Sequence, residues 1–141
     1  MKPRIKLAET IMQNGACMAL YEHDKSFSIS LNGKELMNSK VTASESLLGE
    51  VGIEHINKDF SSQVLIGGLG LGFTLKSVLE SGNIKMKIVL AELFPEVIEW
   101  NRTYLKLLNG MLLDKPCVNI KRENVFQLIR KTEARTYDAI L

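Results

Sequence analysis

Two hydrophobic rhythms divide the chain. In the first third, Phe27, Ile29 and Leu31 alternate with Ser28 and Ser30, the period-two pattern of a half-buried strand. Met18 to Glu22 forms a second short strand candidate, joined to the first through His23-Asp24-Lys25. Asn32-Gly33 is a hairpin signal, because both residues tolerate positive φ, and Lys34 to Met37 is the expected return strand. Thr42 and Glu45 fit a capping box and predict a helix from about Ala43 towards Ile56, weakened by Gly49 and Gly52. Asn57-Lys58-Asp59 is the expected junction, dividing a small β segment plus helix (1–59) from a main domain (60–141).

From Gln63 the rhythm changes. Val64-Leu65-Ile66 is a short apolar run that leads straight into Gly67-Gly68-Leu69-Gly70-Leu71-Gly72. Leu75, Val78 and Leu79 share one face of a following helix that ends near Gly82. Lys87 to Ala91 predicts a second strand, and Pro95 suits the first turn of a helix running to about Leu108. Val118 and Ile120 mark a third strand, Val125 to Ile129 a third helix, and Tyr137 to Leu141 the start of a fourth strand. Strands alternating with helices imply parallel β with right-handed crossovers. The expected fold class is α/β: an incomplete Rossmann-like, doubly wound sheet of about four core strands, preceded by a small β-hairpin segment.

Composition narrows the function classes. The 141 residues carry a formal net charge of +2, with Lys and Arg spread along the chain, so no basic stripe points to nucleic acid. Cys17 and Cys117 are the only cysteines and His23 and His55 the only histidines; none has metal-ligand or redox spacing, so no metal site is expected. The basic start, Met1 to Lys6, is followed by no apolar run of signal-peptide or membrane length. A cytoplasmic protein with no membrane partner is expected.

The candidate chemistry sits at the glycine loop. In doubly wound sheets, ligands bind where the first strand turns into its helix. Glycines there permit a tight turn and close approach of a ligand to the backbone, and helix-start N–H groups favour an anionic group. Glu92, at the end of the second strand and twenty residues past Gly72, is placed to accept hydrogen bonds from ribose hydroxyls. The alternative is a glycine-rich turn beside a solvated acid. If Glu92 serves the ligand, its removal is expected to weaken binding and leave stability nearly unchanged. The dinucleotide fingerprint fails because Phe73 stands where its last glycine belongs, which argues against an NAD-dependent oxidoreductase. The G-x-G-x-G form is similar to that of class I S-adenosylmethionine-dependent transferases.

The order of segments resembles the spermidine synthase (polyamine aminopropyltransferase) family over roughly residues 17 to 141. The residues that carry the resemblance are Asn32-Gly33, Leu36-Met37, Ser44 to Glu50, Val64 to Gly68 with Thr74-Leu75, Ala91 to Ile98, and Tyr137 to Leu141. It implies that S-adenosylmethionine or its decarboxylated form is the co-substrate. Gly68, Gly70 and Gly72 would line its methionine-like portion, Gly67 would belong to the same binding loop, and Glu92 would hold its ribose. Asn124 falls where the family often has an Asp that contacts the adenine amine; equally, it can cap the helix that follows. The acceptor would be a polyamine or another small amine.

The departures are specific. Leu69 and Leu71 interrupt the glycines where the family carries an Asp, and Leu48-Gly49 replaces a Tyr-His pair. With no acid in the loop, helix-start N–H groups would suit the carboxylate of the intact donor. The family's proton-accepting acid lies beyond the position of Leu141, so the catalytic residues are unknown here and the chain is expected to be silent as a transferase. Its fourth strand would then expose an apolar edge, and a homodimer through that edge, aggregation or frayed last residues are the expected outcomes. A non-catalytic S-adenosyl-nucleoside-binding or interaction module is the competing reading.

Overall fold

The computed structural model describes residues 2–141. Four antiparallel strands come first: β1 (Ile5–Ile11), β2 (Cys17–His23), β3 (Ser26–Leu31) and β4 (Lys34–Asn38), paired in that order. β2, β3 and the turn at Asn32-Gly33 lie where the alternation puts them, with Leu20 opposite Ile29 and Met18 opposite Leu31. Ser28 and Ser30 are nonetheless buried. On that face Arg4 covers the sheet, donating to Ser28 Oγ and stacking 3.8 Å from the Tyr21 ring centroid. β1 carries no clean alternation because its register shifts between Lys6 and Ala8, a bulge that moves its apolar residues to the other face.

The helix α1 (Ala43–Gly52) starts as expected, but the capping box does not form. Thr42 has φ −122° and ψ 6° rather than the extended backbone of a cap residue, and its side chain accepts no cap bond. The helix also stops at Gly52, short of Ile56, in successive turns. The Leu141 side chain packs against Gly52, where a Cβ would meet Leu141 Cδ2 at 2.5 Å.

The second sheet is built from β5 (Ser62–Gly67), β6 (Met86–Ala91), β7 (Val118–Lys121) and β8 (Ala139–Ile140), with the helices α2 (Phe73–Ser81), α3 (Pro95–Arg102) and α4 (Val125–Lys131) between them. Its order is β7-β6-β5-β8 and its pairings are parallel. Val64, Leu65, Ile66, Ile88 and Leu90 are all at most 2% exposed, as expected of strands covered on both faces. Backbone bonds from Asp138 and Leu141 to β5 extend the pairing of β8 by a residue at each end. The main apolar cluster joins Met18, Leu20 and Ile29 of the first sheet to Val64, Ile66 and Leu75 of the second, so the core runs across the expected boundary at residue 59.

α3 begins with Pro95 in its first turn but ends six residues before Leu108. The chain folds back on itself there. Leu105 N–H bonds the Trp100 carbonyl, and the Leu105 carbonyl accepts from both Asn109 and Gly110 before a 3-10 turn over Gly110–Asp114. Gly110 lies directly on the end of α3, where any Cβ would overlap the Asn101 carbonyl.

Candidate functional site

β5 and β6 end side by side, and the chain leaves β5 through the glycine loop. Gly68 N–H still bonds the Ala91 carbonyl at 2.8 Å, which ties the start of the loop to the end of β6. Beyond it the loop alternates. Leu69 and Leu71 turn inward, 5% and 3% exposed, and join the core. Gly68 and Gly70 turn outward with φ +105° and +53°, and nothing lies within 4 Å of a Cβ position at Gly68. Only glycine takes the Gly68 conformation without strain.

The loop borders a cavity of about 340 Å³, at the lower end of the range for small-molecule sites. Gly67, Gly68 and Gly70 form one side, and Ala91 and Glu92 at the end of β6 form the floor. Glu123, Asn124 and Val125, at the start of α4, close a third side. Met18, Ile29 and Met37 form an apolar wall from the antiparallel sheet. The cavity therefore lies between the two sheets.

Of the candidate residues, Gly67, Gly68, Gly70, Glu92 and Asn124 meet around this cavity. Gly72 does not reach it; it is buried against Asn109, whose Cβ would stand 2.9 Å from a Cβ there. The first turn of α2 likewise does not line this cavity.

Glu92 is not a solvated acid. It is 6% exposed, and each carboxylate oxygen holds one backbone amide: Leu69 N–H at 2.8 Å on Oε2 and Phe94 N–H at 2.9 Å on Oε1. One carboxylate thus braces the glycine loop and the residue preceding α3, at the positive end of that helix. Each oxygen keeps a second lone pair for a further donor. The expectation that Glu92 leaves stability untouched is therefore corrected: a buried carboxylate holding two backbone amides, one of them buried, is part of the fold.

Asn124 caps α4, its Oδ1 accepting from Phe126 N–H at 2.9 Å and Gln127 N–H at 3.3 Å. With both lone pairs of Oδ1 engaged, the polar atom left without a partner is the donor Nδ2. Asp138 Oδ2 accepts from Gln63 N–H at 2.7 Å, a clasp between β5 and β8.

Sequence reasoning missed three polar residues. Glu123 lines the cavity beside Asn124 and pairs with Lys131. Asn101 and Asn109, both buried, donate to the loop carbonyls of Gly70 and Leu71 from beneath, each at 2.8 Å. Neither asparagine carries a local signal, because the carbonyls they hold lie 31 and 38 residues away in sequence. A second cavity, of about 470 Å³, lies between the β1–β2 turn and the start of α3. It is larger, but no glycine loop borders it, and the side-chain hydrogen bond that spans it is Thr10 to Glu96 at 3.3 Å. No group of three or more metal-ligating side chains converges among the described residues, and no described helix is long and apolar enough to cross a membrane.

The family model for the spermine/spermidine synthase domain matches residues 42–141. The chain belongs to the spermine/spermidine synthase family. A spermidine synthase solved in complex with the transition-state analogue AdoDATO superposes with a TM-score of 0.78 at 27% identity, covering 96% of this chain and 46% of that one. The spermidine synthase of Thermotoga maritima gives the same score and identity, with 96% of this chain and 45% of that one covered. A probable spermidine synthase from Corynebacterium glutamicum ATCC 13032 shares the fold, with a TM-score of 0.67 at 11% identity over 99% of this chain and 51% of that one. No curated protein sequence matches the chain. The chain spans about half the length of these solved spermidine synthases. The mixed α/β fold, with its parallel sheet and N-terminal antiparallel strands, is shared with these structures.

Proposed function

We propose that the cavity between the sheets binds an S-adenosyl nucleoside, as the nucleoside-binding portion of an aminopropyl- or methyltransferase. The observation that carries this reading is Glu92. Its carboxylate is held rigid at the cavity floor by two backbone amides, with a lone pair left on each oxygen. A vicinal pair of ribose hydroxyls supplies the two donors that such a carboxylate lacks. Gly68, with no Cβ and open space before it, leaves room for the sulfur-bearing tail, and Asn124 Nδ2 offers a donor to a ring nitrogen of adenine. S-adenosylmethionine and its decarboxylated form both fit this scheme.

In the transfer itself, an amine nitrogen attacks a carbon attached to the sulfonium. A C–N bond forms, the C–S bond breaks with its electron pair going to sulfur, and the amine loses a proton. Such a reaction needs alignment and a proton acceptor. A polyamine is the acceptor the family favours.

A second reading, a nucleoside-binding module without catalysis, is favoured by one observation. The carboxylates of Glu92, Glu123 and Asp138 are engaged by Leu69 and Phe94, by Lys131, and by Gln63 in turn. Calorimetric titration with S-adenosylmethionine, its decarboxylated form, S-adenosylhomocysteine and NAD tests nucleoside binding, and a transfer assay separates the two readings. Tighter binding of NAD than of every sulfur nucleoside would defeat both.

A further inference from the structure

Two asparagine amides lie buried under the glycine loop. Asn101 on α3 is fully buried, and its Nδ2 donates to the carbonyls of Gly70 at 2.8 Å and Val97 at 2.9 Å. Asn109 is 3% exposed, and its Nδ2 donates to the Leu71 carbonyl at 2.8 Å. Carbonyls only accept, so the nitrogen of each amide must face the loop. Neither Oδ1 has a hydrogen-bond partner among the described residues. Burying an unpartnered carbonyl is unfavourable, and a leucine of similar size would avoid it. What the amides supply and a leucine cannot is a grip on consecutive loop carbonyls.

That grip sets the loop's shape. In a planar trans peptide, C=O and N–H point in opposite directions. Holding the Gly70 carbonyl towards α3 therefore turns the Leu71 N–H away from α3, and this N–H has no acceptor among the described residues. Asn109 Cβ and Asn101 Oδ1 also close around Gly72, at 2.9 and 3.5 Å from a Cβ position there. The loop is fixed from below by the asparagines and at its start by Glu92.

We propose that Asn101 and Asn109 are positioning residues that set the ligand selectivity of the loop. They keep the segment from Gly68 to Gly72 in the shape that receives the tail attached to sulfur, while the nucleoside is held elsewhere, at Glu92 and Asn124. This rests on the nucleoside reading above. The consequence is a split by ligand part: loosening the loop weakens binding of the tail and spares the nucleoside.

The test compares 5′-methylthioadenosine with S-adenosylhomocysteine, which share adenosine and sulfur and differ in the tail. Both are titrated into the wild-type chain, Asn101→Ala and Asn109→Ala, and amide hydrogen exchange is followed in the ligand-free proteins. Asn109→Ala removes a single bond and keeps the test valid if Asn101→Ala does not fold. The expected result is faster exchange at the bonded loop amides, Leu69 and Gly72, with β5 and β6 unchanged. S-adenosylhomocysteine affinity should fall roughly tenfold or more while methylthioadenosine affinity changes less than about twofold. Unchanged loop exchange, or equal weakening of both ligands, would overturn the proposal. A wild-type chain that binds neither ligand would instead overturn the nucleoside reading and the selectivity claim with it, and the exchange data would still decide whether the asparagines hold the loop.

Discussion

Replacing Glu92 with alanine removes the two amide bonds and both proposed ribose contacts in one step. Hydrogen bonds to a charged group contribute about 1.5–3 kcal/mol each. The pair on Leu69 and Phe94 is therefore worth at least about 3 kcal/mol to the fold, taking the lower figure because water can enter the cavity and re-solvate the amides. Leu69 is 5% exposed and Phe94 half-buried, so the loss falls mainly at Leu69. For a domain of this size, each kcal/mol moves Tm by about 3–5 °C, so Glu92→Ala should melt about 10 °C early. Glu92→Gln is not a neutral replacement, because one end of its amide is a donor facing an N–H donor. It keeps one bond of the two and should fall between alanine and wild type. Nucleoside affinity should drop at least about 100-fold in the alanine variant, the equivalent of two modest hydrogen bonds. Differential scanning fluorimetry and calorimetric titration on the same preparations read both effects. An alanine variant that melts within about 2 °C of wild type would refute the bracing role, and unchanged nucleoside affinity would refute the ribose role separately.

Gly70→Ala places a Cβ 2.8 Å from Met37 Sδ. The thioether, which lines the cavity, must give way and the φ of +53° strains any side chain there, so titration should show weaker nucleoside binding, partly restored when Met37→Ala is added. Gly110→Ala would drive a methyl into the Asn101 carbonyl and should destabilise by more than about 3 kcal/mol in urea unfolding, since backbone at both sides has to move. Near-native stability there would contradict the fold-back at the end of α3. Asn124→Ala should lose about 1 kcal/mol as an emptied helix cap, while Asn124→Asp, which still accepts from Phe126 and Gln127, should keep native stability. Thermal melts of the two variants side by side distinguish the cap from any contact with adenine.

The parallel half was legible because β5 and β6 are apolar runs buried on both faces and glycines follow β5 at the turn. β5, the loop, α2, β6 and Glu92 follow one another as the pattern requires. The misreadings share a cause, tertiary contact overriding local signal. The β1 strand escaped notice because a bulge breaks its alternation. α3 was drawn too long because Leu105 and Leu108 continue its apolar spacing, whereas the chain turns to fit Gly110 against Asn101. Gly49 reads as a helix weakness, yet a Cβ there would stand 2.6 Å from Ser77 Cβ. It is what lets α1 approach α2 closely enough for Ser77 Oγ to donate to the Ser46 carbonyl. Most consequential for the site, Asn101 and Asn109 have no local signature, since the carbonyls they hold are 31 and 38 residues away in sequence.

The central claim is that an adenosyl ligand sits between the glycine loop and Glu92, and amide chemical shifts measured during titration with S-adenosylhomocysteine test it most directly. Saturable shifts at Gly68, Leu69, Phe94 and Val125 are the predicted result, because those amides line the cavity or bond the carboxylate that would hold the ribose. An absence of shifts at saturating ligand, or shifts confined to Thr10 to Asn14 at the neighbouring cavity, would contradict it.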